Sequence, residues 1–118
     1  MGLKAWLLLL LNISLILAGQ TLIRLELDRM GGFEFANLLK AATSPGILGG
    51  VVLLTLALPV WFKLLTMVPF STAFPAQGLI HFLGIIVGWL VFSEYVPTVR
   101  WVGGLFLMIG AYLVSLKG

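Results

Sequence analysis

Four uncharged, apolar stretches make up nearly all of this chain, and each is long enough to cross a bilayer. They occupy residues 5–23, 41–62, 64–93 and 101–116, bounded by charges at Lys4, Arg24, Lys40, Lys63, Glu94, Arg100 and Lys117. A hydrocarbon core of about 30 Å takes about 20 helical residues at about 1.5 Å each, with about 17 as the lower end. The last stretch is extended by Val99 and by the apolar stems of Arg100 and Lys117, whose charged heads can snorkel to the surface. The expected fold is therefore an all-α membrane protein, with four transmembrane helices in an antiparallel bundle forming one domain over residues 1–118.

Composition excludes several function classes. Hydrophobic residues supply 61% of the chain and charged residues 9%, too little polar surface for a soluble domain of this size. Cysteine is absent, which removes disulfides, thiolate catalysis and Cys-based metal sites together. The single His81 cannot build a metal site alone, and no cofactor is expected. A net charge of +3 from scattered basic residues gives no support for nucleic-acid binding. No grouping of nucleophile, base and oxyanion donors suggests an enzyme. Lys4, the apolar run 5–17 and the small residues Ala18-Gly19 have the outline of a signal peptide. The run continues through Thr21-Leu22-Ile23 toward further spans, so it reads as the first transmembrane helix.

The spans are expected at 4–23 with a helical extension to 30, then 45–65, 70–93 and 98–116. Arg24 and Asp28 form an i,i+4 pair on the extension, and Gly31-Gly32 ends it. Residues 33–43 set apolar Phe35, Leu38, Leu39 and Ala42 opposite polar Glu34, Asn37 and Lys40, the pattern of a short interfacial helix between the first and second spans. Ser44 is placed to cap the second span, with Pro45 in its first turn. Pro59 should kink that span, because it removes the hydrogen bond to Thr55. Short connections at 66–69 and 94–98 make neighbouring helices antiparallel and put both termini on one side. That side carries Lys4, Lys63 and Lys117, the other Arg24, Arg29, Lys40 and Arg100. Three against four is almost no positive-inside bias, which leaves both orientations open.

Helices in a bilayer associate through close packing and polar contacts rather than hydrophobicity. Gln77, His81, Gly84 and Gly88 share one face of the third span and are expected to point inward, Gly84 and Gly88 forming a GxxxG motif. Gly103 and Gly110 lie a heptad apart on the fourth span beside Gly104, suited to helix packing or a dimer contact. Asn12, Gln20 and Arg24 follow one track on the first span, toward neighbouring helices or a wet cavity. Ser14 and Thr21 are expected to bond back to their own helix. His81 could titrate near physiological pH, although burial would favour its neutral, hydrogen-bonding form. Arg24 and Lys63 sit at opposite membrane boundaries, where they either snorkel or meet an anionic headgroup.

Leu17-Ala18-Gly19-Gln20-Thr21-Leu22, the run Val68-Pro69-Phe70-Ser71-Thr72-Ala73-Phe74-Pro75, and the ending from Trp101 to Ala111 together resemble the small four-helix members of the drug/metabolite transporter superfamily. The resemblance covers nearly the whole chain except the 24–43 connection, and Glu94 fits that superfamily's acidic residue after the third span. Small multidrug resistance exporters carry a first-span glutamate, which is missing here. Phe74 and Gln77 also stand where those exporters usually present Tyr and Trp. Ala18-Gly19-Gln20, Val68-Pro69 and Ala73-Phe74-Pro75 are more similar to the subunits that flip undecaprenyl-phosphate-linked aminoarabinose. That resemblance implies a lipid-linked sugar flippase of the bacterial inner membrane, acting as a homodimer or a heterodimer with a related small subunit. It would contact membrane lipids and a polyprenyl-phosphate-linked sugar. Asn12, Gln20, Arg24, Lys63, Phe74, Gln77 and His81 are then the candidate substrate-binding residues. The alternatives are a multidrug-type exporter of small cations and an accessory subunit of a membrane glycosyltransferase.

Overall fold

The computed structural model describes residues 2–116, so Lys117 lies outside the described residues. Six α-helices follow one another: α1 (Leu3–Arg29), α2 (Leu38–Ala42), α3 (Pro45–Met67), α4 (Phe70–Ala76), α5 (Leu79–Leu90) and α6 (Thr98–Ser115), with a 3-10 turn at Phe35–Asn37 before α2. Taken as units, α1, α3, α4 with α5, and α6 are each long and apolar enough to cross a membrane. The protein is a multi-pass membrane protein of antiparallel helices.

The glycine stop after α1 works through its backbone. Gly31 and Gly32 both adopt positive φ, 86° and 110°, a region that a Cβ disfavours. This turn lets the Gly32 N–H reach the Leu27 carbonyl at 2.8 Å and the Gly31 N–H reach Asp28 at 3.2 Å. These are the paired bonds of a Schellman cap, which satisfy carbonyls that the helix end would otherwise orphan. The chain returns through the 3-10 turn and α2 to Ser44-Pro45, with Pro45 in the first turn of α3. Ser44 caps α3 by position only, since its hydroxyl makes no capping bond. It donates instead to the carboxylate of Glu26, which also accepts from Arg29. Gly46 makes room for that carboxylate, because a Cβ there would stand 2.5 Å from a Glu26 oxygen.

α1 and α3 share the most extensive interface in the molecule, and it rests on two glycines. A Cβ on Gly50 would lie 2.6 Å from the Gly19 carbonyl oxygen, and one on Gly19 would lie 2.8 Å from the Gly50 oxygen. The small-residue motif that draws these helices together is thus Gly46 with Gly50, four residues apart on α3. The pair expected from sequence, Gly84 and Gly88, makes no such contact: a Cβ on Gly84 would meet nothing within 4 Å, and one on Gly88 would meet the side chain of Glu94. Gly103 and Gly110 likewise face open space, whereas Gly104 packs beneath Phe82 and Ile85 of α5.

The third span is not one continuous helix. Pro75 has no N–H to give, and the Gly78 N–H folds back to the Pro75 carbonyl at 2.9 Å, so the chain turns at Gln77-Gly78 before α5 resumes. α5 ends at Leu90 rather than near residue 93. Ser93 takes a positive φ of 52°, and the Glu94 N–H returns to the Gly88 carbonyl at 3.1 Å.

The buried core sits toward the terminal side. It consists of Ala5, Leu9 and Ile13 of α1 against Leu64 of α3 and Ala73 and Ala76 of α4. Farther along the bundle α1 and α3 stay in contact through Gly19 and Gly50, while cavities open between α1, α5 and α6. The Cα envelope measures 46 × 36 × 20 Å with a radius of gyration of 16.0 Å, against about 13.5 Å for a compact chain of this length. The molecule is a slab with room between its helices.

Candidate functional site

Three cavities meet in that space, and Gln20 borders all of them. The largest, about 860 Å³, is a groove in which Ile16 and Gln20 of α1 face Gly103, Phe106 and Gly110 of α6, with His81 along one wall. The second, about 430 Å³, is enclosed by α1, α3 and α4 and includes Asn12, Thr55, Trp61 and Gln77. The third, about 390 Å³, lies at the end nearest the α5–α6 connection and includes Gln20, His81, Glu94 and Arg100. Phe74, stacked on Phe70 with ring centres 5.3 Å apart, borders the first two. Phe106 and Phe74 are both well exposed, so the groove opens sideways between α1 and α6.

At one end of the groove, three elements are tied together by uncharged amides. Asn12, only 1% exposed, donates from Nδ2 to the Ala57 carbonyl of α3 at 2.9 Å. Gln77 donates from Nε2 to Asn12 Oδ1 at 2.7 Å. Asn12 sits on the same face as Leu9 and Ile13, and Gln77 is presented by the break in the third span. Thr55 lines the neighbouring wall. Its carbonyl is the one that Pro59 deprives of its usual helical donor, although α3 runs unbroken through Pro59.

The other end is charged. Arg24 Nε lies 3.2 Å from Asp28 and its NH2 group 3.4 Å from Glu94, with the guanidinium 5.0 Å over the Phe92 ring. The pair to Asp28 is the one that the i,i+4 spacing predicted. The bond to Glu94 links α1 to the α5–α6 connection, and no sequence spacing could have announced it.

The structure therefore brings together Asn12, Gln20, Phe74, Gln77 and His81 around adjoining cavities that share Gln20. Arg24 borders a smaller recess of about 200 Å³ that also touches Gln20, Gly84 and Gly88. Lys63 is exposed at the other end of the bundle and lines none of these cavities. His81 is exposed to the groove, on a face that looks toward α1 across the cavities it shares with Gln20. Thr21 bonds back to Leu17 at 2.6 Å, as expected. Two groove residues were missed in the sequence. Thr55 was detectable as the residue four before a mid-span proline, and Arg100 as a boundary cation with no acidic partner at helical spacing.

No family model matches the chain, and no solved structure matches it. Among curated proteins it is similar to the probable 4-amino-4-deoxy-L-arabinose-phosphoundecaprenol flippase subunit ArnE of Photorhabdus laumondii. The two are 29% identical over 78 residues, covering 66% of this chain and 69% of that relative. The chain is a distant homologue of this flippase subunit, and its four apolar helices fit the small four-helix transporters.

Proposed function

We propose that this protein is a subunit of a flippase that carries a sugar linked to undecaprenyl phosphate across the bacterial inner membrane. The observation that carries the reading is the sideways-open groove, with uncharged amides at one end and arginines at the other, in a homologue of a flippase subunit. A sugar hydroxyl moved into hydrocarbon without a partner costs roughly 2–7 kcal/mol. Gln20, Gln77 and Thr55 can replace water for such hydroxyls without bringing a charge into the bilayer. The lipid tail needs no enclosure, because a groove open between α1 and α6 leaves it in the membrane.

A second subunit is part of this reading. Among the described residues nothing lies within 4 Å of a Cβ added at Gly103 or Gly110 of α6, and the groove beside them is open. A second copy or a related small subunit would supply the missing wall. The multidrug-type alternative is disfavoured by the lining itself: no carboxylate lines the groove, and Glu94, in the third cavity, is held by Arg24.

The test is translocation. The complex, purified from membranes in mild detergent, is reconstituted in vesicles loaded with an undecaprenyl-phosphate-linked aminoarabinose, and its arrival in the outer leaflet is followed with an impermeant amine reagent. Faster arrival than in protein-free vesicles, slowed by Gln20→Ala, is the expected result. Arrival at the protein-free rate refutes the proposal.

A further inference from the structure

Resting on the flippase reading, we infer that the cavity formed by Gln20, His81 and Arg100 seats the phosphate of the lipid-linked substrate, with Arg100 as its cation and Arg24 as a structural counter-charge. Sequence position favours Arg24 for this role, but its charge is already spent. It is shared between Asp28 at 3.2 Å and Glu94 at 3.4 Å, and its plane lies over Phe92. Arg100 has no ion pair among the described residues. It lines a cavity of about 390 Å³ with Gln20 and His81, whose remaining walls include Leu17, Ile80 and Ile85.

Glu94 borders the same cavity and would repel a phosphate if its charge were loose. It is not loose. One carboxylate oxygen faces Arg24, the other rests where Gly88 has no Cβ, and the backbone N–H is tied to the Gly88 carbonyl. Arg24 thus holds Glu94 in place while also serving Asp28, and Arg100 is the cation here that makes no ion pair among the described residues. A guanidinium presents its donors as a planar fork suited to phosphate oxygens, and the Gln20 amide and the His81 ring each add an N–H. Apolar walls beside the cation lower the local dielectric and strengthen its attraction for an anion. With the phosphate here, the sugar points along the groove toward the amide end and the prenyl chain leaves sideways between α1 and α6.

Binding of farnesyl phosphate and of farnesol, measured by native mass spectrometry on the purified complex, tests the assignment. Arg100→Gln should weaken farnesyl phosphate about tenfold or more, the usual scale for losing a charge-assisted hydrogen bond, while farnesol is unchanged. Arg100→Lys should retain only part of the affinity, because it keeps the charge and loses the planar fork. Arg24→Gln frees the Glu94 carboxylate and should weaken binding, whereas Arg24→Gln combined with Glu94→Gln should change it less than about threefold. Inorganic phosphate at equal concentration should fail to compete, and effective competition would overturn a lipid-borne phosphate. Wild-type affinity in Arg100→Gln, or equal loss of farnesol and farnesyl phosphate, would overturn the site. Arg100-dependent binding without translocation would leave the site standing and remove the flippase reading. Translocation with binding indifferent to Arg100 would do the reverse.

Discussion

Replacing Gly50 by Ala should destabilise the protein, although the same change at Gly84 should not. A Cβ on Gly50 would lie 2.6 Å from the Gly19 carbonyl oxygen and 2.5 Å from a carbon of Ile23. Ordinary contact needs about 3.4 Å or more, so α1 and α3 must separate by roughly 0.8 Å in a packed region that resists such shifts. Overpacking of this kind costs about 1–3 kcal/mol. The separation also stretches the Asn12 bond to Ala57, which lies two turns along both helices from the glycine pair and is 2.9 Å long, worth about another 1 kcal/mol. Better helix propensity returns roughly 0.8–1.0 kcal/mol, leaving a net loss of about 1–3 kcal/mol. At Gly84 nothing lies within 4 Å of the added methyl, so only the propensity gain remains. Unfolding of the monomer in mixed micelles, followed by helix content against SDS fraction, reads both signs. Equal effects at the two positions, or a stabilised Gly50→Ala, would refute the argument from backbone approach.

Asn12→Ala should cost about 1–3 kcal/mol in the same assay, because it strands the Gln77 amide in a largely buried place; the check is whether Asn12→Ala with Gln77→Leu is less destabilised than Asn12→Ala alone. Glu26→Ala removes the acceptor of Ser44 and Arg29, so limited proteolysis between Met30 and Thr43 should become faster while helix content stays the same. Gly31→Val places a β-branched side chain at φ 86° and should destabilise by about 1–2 kcal/mol, against a much smaller effect for Gly2→Ala, where no neighbour or strained φ is present.

Features set by local chain chemistry were legible before any fold was known. The length of the apolar runs gave the four spans, the double glycine gave the end of α1, and Ser44-Pro45 gave the start of α3. What could not be read was rotation about the helix axis. Gly46 and Gly50 have the same spacing as Gly84 and Gly88, yet only the first pair meets a neighbouring helix. The difference lies in which side each helix turns toward its neighbours, a three-dimensional property that no spacing encodes. His81 shows the same limit: its face does look toward α1, but across a cavity rather than into a packed contact. Arg24 illustrates the other limit. Its local partner Asp28 was plain from i,i+4 geometry, but its partner Glu94, 70 residues away, appears only once the α5–α6 connection has folded back.

The amide chain through Asn12 has a sense of direction, and the backbone dictates it. The Ala57 carbonyl can only accept, so Asn12 must turn its NH2 group toward it and its oxygen toward Gln77. Gln77 must then give an N–H to Asn12, which leaves its own carbonyl oxygen for whatever lies beside it in the groove. Reversing this order would need both amides to rotate by half a turn and would set a lone pair against a lone pair at Ala57. Amides do not titrate in the biological range, so the order persists at any pH at which the helices remain packed. The deep end of the groove is therefore permanently suited to a donor, such as a hydroxyl or an ammonium group, and poorly suited to a phosphate. A headgroup that enters with its anion at the arginine end and its hydroxyls leading meets the right partner at both ends; the opposite orientation meets the wrong one twice.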